Sequence, residues 1–260
     1  MVDRVFVDMD GVSVDFEGYM ALTGLTAEEV KHQPGAYRAM LPIPGAIEAI
    51  RSMIAMGHEV WVATKPPTAV PNAYSDKVQW ILDYLPELKR RIIITHDKGL
   101  LGDAHDYLCD DRPHRANCER FPGTLLPFVD GFHWPQALAF FRDLHMQRIA
   151  GAIESFRLDL SDEKRLQADL EVALQAFPWP FEREKNLSSR DIPDFFFASG
   201  LVIECKLRPA QKMAVFRQLE RYASHQEVTG ILLASNLSMT LPEKIHGKPA
   251  MTVSLSKGWL

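Results

Sequence analysis

Two carboxylates separated by a single residue, Asp8 and Asp10, follow an apolar run near the start of the chain. The run V-F-V predicts a buried strand, and the alternation of strand side chains places both acids on the same side. Gly11 then permits a sharp turn where a ligand can come close. Adjacent acids repel unless a cation or a shared proton compensates. The pair therefore indicates either a simple turn cap or a magnesium site, in which one carboxylate attacks phosphorus and the other moves a proton.

Three further segments of the first half carry residues that suit a phosphate ester. Thr64 ends the run E-V-W-V-A-T, where its hydroxyl and the following backbone N–H can hold phosphate oxygens. Lys98, in I-I-I-T-H-D-K, offers that phosphate a compact positive charge. Asp110 and Asp111 follow another apolar run and complete the oxygen-only shell that magnesium prefers. Because ligands of open parallel sheets gather beyond the carboxyl ends of the strands, we expect these segments to meet there.

The segments D-M-D-G-V, L-P-I-P-G-A-I-E-A-I, T-H-D-K and D-D-R-P resemble the signature of the haloacid dehalogenase superfamily, specifically of the 5′(3′)-deoxyribonucleotidase family. The resemblance covers about residues 4 to 115. It implies a Rossmann-like α/β domain with a small helical cap. It also implies a Mg²⁺-dependent enzyme that removes phosphate from deoxynucleoside monophosphates.

The resemblance further implies a role for each residue. Asp8 is expected to be the nucleophile that forms an aspartyl-phosphate, and Asp10 the general acid and base. Thr64 and Lys98 are expected to bind phosphate. The implied metal ligands are Asp8, the backbone carbonyl of Asp10, and Asp110, with Asp111 supporting the metal shell.

One position departs from that family. Lys65 stands directly after Thr64, where many members carry a small polar residue, and Pro66 and Pro67 follow it. A cation beside the phosphate favours a more highly charged substrate. We therefore count Lys65 among the phosphate-binding residues and leave the charge of the substrate open.

A second set of charged residues lies in the other half of the chain. Asp194 precedes Glu204 by ten residues and Lys206 follows two residues later, which reads P-D…E-x-K. In G-L-V-I-E-C-K-L, alternation puts Glu204 and Lys206 on one strand face and only apolar side chains on the other. Burying both charges is unfavourable unless a ligand uses them. Asp194 and Glu204 can hold magnesium against a scissile phosphate, while Lys206 orients or activates water.

These residues resemble the PD-(D/E)XK nuclease superfamily across about residues 160 to 235. Gln218 and Tyr222 match the Q-x-x-x-Y element of its RecB-like branch. The family also places a glutamate on the first helix, and Glu163 falls on the apolar stripe of that helix. The resemblance implies an α+β restriction-endonuclease-like domain that holds Mg²⁺ or Mn²⁺, with Glu163 as a further ligand, and cleaves DNA.

Three readings of the whole chain stay open. In the first, a bifunctional hydrolase cleaves DNA with its second half and dephosphorylates the released mononucleotides with its first. In the second, the phosphatase trims phosphates from nucleic-acid ends opened by the nuclease. In the third, the second half is a non-catalytic DNA-binding or oligomerisation module. For the P-D…E-x-K residues by themselves, the alternative to a nuclease site is an ordinary Glu–Lys pair on an exposed strand.

Short apolar runs alternate with amphipathic segments through the first half, which favours a doubly wound parallel sheet. An insert over about 17–43 predicts a small helical cap. Helices are predicted near 44–57, 75–85 and 135–160. The predicted strands cover 4–9, 59–64, 91–95 and 106–110.

The second half has an α+β pattern, which opens on a helix predicted to be capped by Ser161. A mostly antiparallel meander and a helix over 210–224 follow. The strands are predicted at 181–187, 191–198, 200–207, 228–234 and 250–255. We expect two domains, a phosphatase over 1–150 and a nuclease-like domain over 151–260.

Composition is that of a soluble globular protein, with 47% hydrophobic and 24% charged residues among 260. The net charge of −5 lies in residues 1–150, with 20 acids and 15 bases, whereas residues 151–260 hold 14 of each. Neither half is strongly basic, so any DNA contact must be local or assisted by a metal. Three cysteines form no paired framework, and no apolar run is long enough to span a bilayer. We expect a cytoplasmic protein without a signal peptide.

Overall fold

The computed structural model describes residues 2–207, 211–236 and 239–259. Its contacts divide the chain into two compact units. The amino-terminal unit consists of Met1–Ile54 and His58–Leu138, and the carboxy-terminal unit of Ala55–Gly57 and Ala139–Leu260. Within the described ranges, no helix combines the length and the apolar character that crossing a bilayer requires.

The amino-terminal unit alternates strands with helices. Its strands are β1 (Arg4–Val7), β2 (Glu59–Thr64), β3 (Ile92–Ile94), β4 (Tyr107–Asp110) and β5 (Thr124–Pro127). Its helices are α1 (Phe16–Thr23), α2 (Ala27–His32), α3 (Ala36–Ala39), α4 (Ala46–Ala55) and α5 (Pro71–Tyr84). The division between the units falls within α6 (Trp134–Ser155).

These five strands form one sheet in the order β3-β2-β1-β4-β5, and every pair is parallel. The predicted parallel α/β sheet is therefore confirmed. β1 is central and buried, since Val5, Phe6 and Val7 are almost inaccessible to solvent. Because all strands run the same way, the residues that follow β1, β2 and β4 emerge at one edge of the sheet.

The predicted helical cap is present as α1, α2 and α3. Thr26 and Glu29 form a reciprocal capping box at the start of α2, which satisfies backbone donors there. Helix α5 begins at Pro71, four residues before the predicted start, because proline suits the first turn of a helix. β5 was not predicted, since four residues that end in proline carry too little strand pattern.

The carboxy-terminal unit contains a second sheet with helices on its two faces. Its helices are the part of α6 from Ala139 onwards, α7 (Glu163–Leu174) and α8 (Lys212–Ser224). The predicted start of α8 at residue 210 lies outside the described residues. The strands are β6 (Phe181–Arg183), β7 (Phe195–Phe197), β8 (Leu201–Lys206), β9 (Gly230–Ser235), β10 (Lys244–Ile245) and β11 (Lys248–Ser254).

The sheet has the order β10-β11-β9-β8-β7-β6. β6, β7 and β8 pair antiparallel, as the meander predicts, but β8 pairs parallel with β9 and β9 with β11. The sheet is thus mixed, because a crossover through α8 returns the chain in the direction of β8.

The two faces of β8 bury different residues. Leu201, Ile203 and Cys205 join one core with α7, whereas Val202 joins a second core with α8. The predicted alternation of β8 is confirmed. Leu207 extends the first face, and the three cysteines are free and buried, as predicted.

The cap predicted for α7 is wrong by one residue. Asp162, not Ser161, has the extended backbone that precedes the helix, with φ −152° and ψ 162°. Its carboxylate accepts hydrogen bonds from the backbone N–H groups of Lys164 and Arg165. A capping side chain must lie directly before the first helical residue to reach those donors, and Ser161 is one position too early.

Candidate functional site

The first two predicted acids lie just beyond the end of β1. Asp8 is buried, and its backbone N–H donates to the carbonyl of Cys109 at 2.9 Å. Its own carbonyl accepts from the Ser13 hydroxyl at 2.9 Å. Asp10 follows, and Gly11 then takes a positive φ of 76°, a conformation that glycine adopts without strain. Backbone contacts thus fix Asp8 at the end of β1, and the chain turns at Gly11 directly after Asp10.

Lys98 joins two of the acids that come from different strands. Its ammonium lies 2.7 Å from Asp8 Oδ1 and 2.5 Å from Asp110 Oδ2. The side chain is only 2% exposed. Asp97 caps the short helical turn that carries Lys98, accepting from the backbone N–H of Gly99 at 2.9 Å. The geometry brings the expected phosphate-binding lysine against the expected nucleophile.

Burial and charge act against each other on this group. Burial raises the pKa of Asp8 to about 6, Lys98 opposes that shift, and Asp110 acts in the same direction as burial. Burial alone lowers the pKa of Lys98, but the charges of Asp8 and Asp110 prevail and raise it above its usual value. Lys98 therefore stays charged across the physiological range and favours the ionised form of Asp8.

Asp111 completes a group of acids suited to a cation. One carboxylate oxygen from each of Asp8, Asp110 and Asp111 can be chosen so that all lie within 4.8 Å of one another. Asp111 Oδ1 is buried and accepts no hydrogen bond from the described residues. Burial raises the pKa of Asp111 to about 7, and the charge of Asp8 adds to that shift. An oxygen-only set with an unsatisfied buried oxygen fits Mg²⁺.

Close approach of the backbone shapes this acid group. A Cβ atom at Gly11 would lie 2.3 Å from Asp111 Oδ2, so only glycine leaves room for that carboxylate. Asp110 is held by its second oxygen, which accepts from the backbone N–H of Arg112 at 2.8 Å.

Asp10 is held by a residue that the sequence did not single out. The Lys77 ammonium lies 2.5 Å from Asp10 Oδ1 and 3.2 Å from Thr64 Oγ1, and the lysine side chain is fully buried. Its Nζ also sits 4.2 Å from the centre of the Tyr37 ring. The position of Lys77 in α5 was the sequence signal that could have identified it. Lys77 shares the buried face of this helix with Ala73 and Ile81, and a charge on that face requires a partner.

A cleft of about 700 Å³ opens over these groups. Asp8, Asp10, Lys98, Asp110 and Asp111 lie among its lining residues, and exposed Lys65 borders it directly after the end of β2. Thr64 itself is buried beside Lys77 and is not among the lining residues. The volume is that of sites which hold small organic ligands.

The second predicted set meets in the carboxy-terminal unit. Lys206 Nζ lies 2.6 Å from Glu204 Oε1, and Glu204 is 2% exposed. Asp194 accepts from the backbone N–H of Cys205 at 2.7 Å, which ties the loop before β7 to β8. Gln218 and Tyr222, one helical turn apart on α8, both reach Glu204, at 2.8 and 3.1 Å. The Q-x-x-x-Y element therefore holds the glutamate.

Burial perturbs both acids of this set. It raises the pKa of Asp194 to about 7, and the charge of Glu204 adds to the shift. Burial also raises the pKa of Glu204, although Lys206 opposes that change. Two buried carboxylates of raised pKa fit a cation, since a positive charge would favour both ionised forms.

Glu163 lies at the edge of this set. Its carboxylate is 3.4 Å from Lys206 Nζ, and its side chain is 37% exposed. It lies in the first turn of α7, where it is partly exposed but turned towards Lys206. In the described part of the chain, the close three-acid grouping found around Asp8 does not recur for Glu163, Asp194 and Glu204.

Two further residues support Asp194, and the sequence did not indicate them. Gln167 donates to Asp194 Oδ1 at 2.8 Å. Arg183 donates to Gln167 Oε1 at 3.1 Å and pairs with Glu171 at 2.7 Å. Gln167 is a buried amide beside Leu166 on α7, and such a group needs a partner, which was the available signal.

The amino-terminal unit matches a family model described as 5′ nucleotidase, deoxy (pyrimidine), cytosolic type C protein, over residues 26–134. The human cytosolic-type 5′(3′)-deoxyribonucleotidase is 30% identical in an alignment 154 residues long, and the match covers 46% of this chain and 75% of that protein. The chain belongs to the 5′(3′)-deoxyribonucleotidase family. The human mitochondrial 5′(3′)-deoxyribonucleotidase is 29% identical over 46% of this chain and 66% of its own length.

Other 5′(3′)-deoxyribonucleotidase relatives match over a shorter stretch. A putative 5′(3′)-deoxyribonucleotidase of Bordetella bronchiseptica is 40% identical over 93 residues, or 35% of this chain, which spans 48% of that relative's length. The structure of a HAD family hydrolase from Deinococcus radiodurans R1, with bound phosphate and sodium, covers 59% of this chain and 96% of its own at 17% identity. Its TM-score is 0.35, which does not by itself establish a shared fold.

Proposed function

We propose that the amino-terminal unit is a Mg²⁺-dependent phosphomonoesterase that acts on deoxynucleoside monophosphates through an aspartyl-phosphate at Asp8. The observation that carries this proposal is the contact of buried Lys98 with Asp8 and Asp110, within a cleft that also exposes Asp10. A nucleophilic carboxylate, a fixed cation and a second carboxylate are the groups that the reaction needs. The substrate class follows the names of the human relatives.

Each step is assigned to a residue of this chain. Asp8 attacks phosphorus, the phosphorus–oxygen bond of the ester breaks, and Asp10 donates a proton to the departing alcohol oxygen. Asp10 then removes a proton from water, which attacks the aspartyl-phosphate and releases inorganic phosphate with Asp8 regenerated. Lys98 neutralises charge on the phosphoryl oxygens, and Lys77 holds Asp10 in position.

A divalent cation would be held by the carboxylates of Asp8, Asp110 and Asp111. When bound, it supplies positive charge that offsets the repulsion between these acids and the phosphate dianion. Asp111 Oδ1 is buried and accepts no hydrogen bond among the described residues, so a bound cation would give this carboxylate a partner.

The test of this function is Asp8→Asn, which keeps the side-chain shape and removes the nucleophile. We expect release of inorganic phosphate from deoxynucleoside monophosphates to fall by about 10³-fold or more, because the covalent step is lost. A matched control is Asp103→Asn, a half-exposed acid outside the cleft that pairs with Arg4. Residual turnover of more than a few per cent in Asp8→Asn would show that this carboxylate is not the nucleophile.

A second function is favoured by the contact of Lys206 with buried Glu204 beside Asp194. We propose that the carboxy-terminal unit hydrolyses phosphodiesters in DNA, with Asp194 and Glu204 holding Mg²⁺ or Mn²⁺ and Lys206 orienting the attacking water. Gln218 and Tyr222 act by positioning Glu204, and Glu163 by its contact with Lys206. The raised pKa of Asp194 supports a site made for a cation.

Cleavage of linear and circular DNA tests this second function. Glu204→Gln and Lys206→Ala should each abolish cleavage and leave phosphate release from mononucleotides unchanged, because both residues lie outside the first cleft. Glu182→Gln is a matched control, since this exposed acid of β6 contacts neither group. If wild-type protein binds DNA but cleaves none in either metal, the non-catalytic module is the correct reading.

A further inference from the structure

Two cations on the wall of the first cleft have no part in the proposed steps at Asp8. Lys65 and Arg115 both line the cleft and both are exposed. Over residues 2–207, 211–236 and 239–259, neither side chain pairs with a carboxylate. By contrast, the ammonium of Lys31, which also lines the cleft, lies 3.2 Å from Glu28 Oε2. The two unpaired charges are therefore available to a ligand.

Lys65 and Arg115 are not needed as ion-pair partners for Asp8, Asp10 or Asp110 in the cleft. Lys98 already contacts Asp8 and Asp110, and Lys77 contacts Asp10. Positive charges that line a cleft attract anions, and low-dielectric walls concentrate the field of those charges. Lys65 and Arg115 thus favour a ligand with negative charge beyond the reacting phosphate.

Among the described residues, the same cleft has no exposed Phe, Tyr or Trp ring in its lining. Tyr37 is the one Phe, Tyr or Trp among its lining residues in the described chain. Lys77 lies over the Tyr37 ring, which is 2% exposed. Stacking on an open aromatic face, the usual way to hold a base, is not provided by that ring. The exposed charges of Lys65 and Arg115 are therefore a more prominent feature of the lining than an aromatic ring of Phe, Tyr or Trp.

We propose that the cleft selects phosphomonoesters whose leaving alcohol carries a second phosphate, and that Lys65 and Arg115 bind this second phosphate. The proposal rests on the proposed phosphatase function and narrows its substrate. A second phosphate one sugar away occurs at the phosphorylated end of an oligonucleotide and in a nucleoside 3′,5′-bisphosphate. The cleft of about 700 Å³ has room for a ligand of that size.

The first test compares three substrates: deoxythymidine 5′-monophosphate, deoxythymidine 3′,5′-bisphosphate and a 5′-phosphorylated tetranucleotide. All are assayed with Glu204→Gln protein, so that cleavage by the second unit does not contribute. We expect kcat/KM for at least one of the two substrates with a second phosphate to exceed that of the monophosphate by about tenfold, the effect of a charge-assisted contact. A preference for the tetranucleotide alone identifies the substrate as the phosphorylated end of a strand. A preference for the bisphosphate alone identifies the substrate as a small molecule.

The second test assigns the preference to residues. Lys65→Gln and Arg115→Gln should each reduce the ratio of the two kcat/KM values, second phosphate over monophosphate, by about 3- to 10-fold. Lys89→Gln and Arg90→Gln are matched controls, because both are exposed and lie outside the cleft. These controls should leave the ratio unchanged. In an Asp8→Asn background, tetranucleotide binding should also depend less steeply on salt in each of the two cleft variants than in the parent protein.

The outcomes separate this proposal from the function on which it rests. If kcat/KM for the monophosphate equals or exceeds kcat/KM for both substrates with a second phosphate, the selection for a second phosphate is wrong. The proposed phosphatase function is not affected by that result. A preference that survives in Lys65→Gln and Arg115→Gln overturns the assignment to these residues. Absence of phosphate release from all three substrates overturns both proposals.

Discussion

Two buried lysines hold the acids of the amino-terminal site in place. Lys77 and Lys98 are 0% and 2% exposed, and each ammonium contacts a carboxylate at 2.5 Å. A buried ammonium is strongly unfavourable alone, so each lysine requires its acid and each acid gains a fixed position from its lysine. At the scale of the residue, the site is two lysine–carboxylate groups rather than a cluster of acids alone.

Replacement of Lys77 by methionine tests this pairing. Methionine has a similar volume but no charge, so Asp10 loses its cation and Thr64 loses a donor. We expect turnover to fall by about 10- to 100-fold, since a proton-transferring group is mispositioned. The free energy of unfolding should fall by about 1–3 kcal/mol, because Asp10 keeps partial access to water. Lys89→Met is the control and should keep wild-type turnover. If the turnover of Lys77→Met is also within twofold of wild type, Lys77 does not position Asp10 for the reaction.

At the scale of elements, Asp191 links the loop between β6 and β7 to α8 in the carboxy-terminal unit. Asp191 accepts hydrogen bonds from Arg221 at 2.8 Å and Ser188 at 2.8 Å, and lies 2.9 Å from His225 Nε2. Burial acts to raise its pKa, but the contacts with His225, Arg221 and Ser188 prevail and lower it to about 2. Asp194, the candidate metal ligand, lies three residues further along the same loop, so the contacts of Asp191 also help to position it.

The lowered pKa predicts how stability changes in acid. Because the folded-state pKa lies below the ordinary value of about 3.9, the contribution of Asp191 is complete above that value and is lost as pH falls towards about 2. We expect wild type to exceed Asp191→Asn in free energy of unfolding by about 1–2 kcal/mol at pH 7. Denaturant unfolding from pH 7 to pH 2 measures this difference. A difference that does not shrink in acid would contradict the ion-pair origin.

At the scale of the whole molecule, both candidate sites combine buried acids with a lysine, although the sheets that carry them differ. The first lies at the carboxyl edge of a parallel sheet, and the second on β8 and the loop before β7 of a mixed sheet. In each case burial raises the pKa of the acids, of Asp8 and Asp111 in one unit and of Asp194 in the other. A cation would favour their ionised forms.

Removal and return of metal tests both units in one protein. Excess chelator should abolish phosphate release and DNA cleavage, and Mg²⁺ should restore both, because each set of acids needs a cation beside its phosphate. Mg²⁺ should also raise the melting temperature through binding to the folded state, and Asp110→Ala should reduce that rise. Full phosphate release in excess chelator would exclude a cation from the first site.

The sequence alone determined the features that depend on local pattern. The apolar runs located β1, β2, β4 and β8, because strand periodicity needs only a few neighbouring residues. The acids at the ends of the first runs followed from the same pattern, and so did the shared face of Glu204 and Lys206. Family motifs then joined these segments in order, and the comparisons support the family of the first unit.

Tertiary structure alone decided the contacts between distant segments. Lys77 lies 67 residues from Asp10, and Gln167 lies 27 residues from Asp194, so neither pairing has a local pattern. The parallel pairing of β8 with β9, and the short strands β5 and β10, likewise depend on neighbours in space rather than in sequence. A polar residue on the apolar face of a helix can be recognised in the sequence, and it requires a hydrogen-bonding or charged partner when it is buried. Only the packed fold determines which residue that partner is.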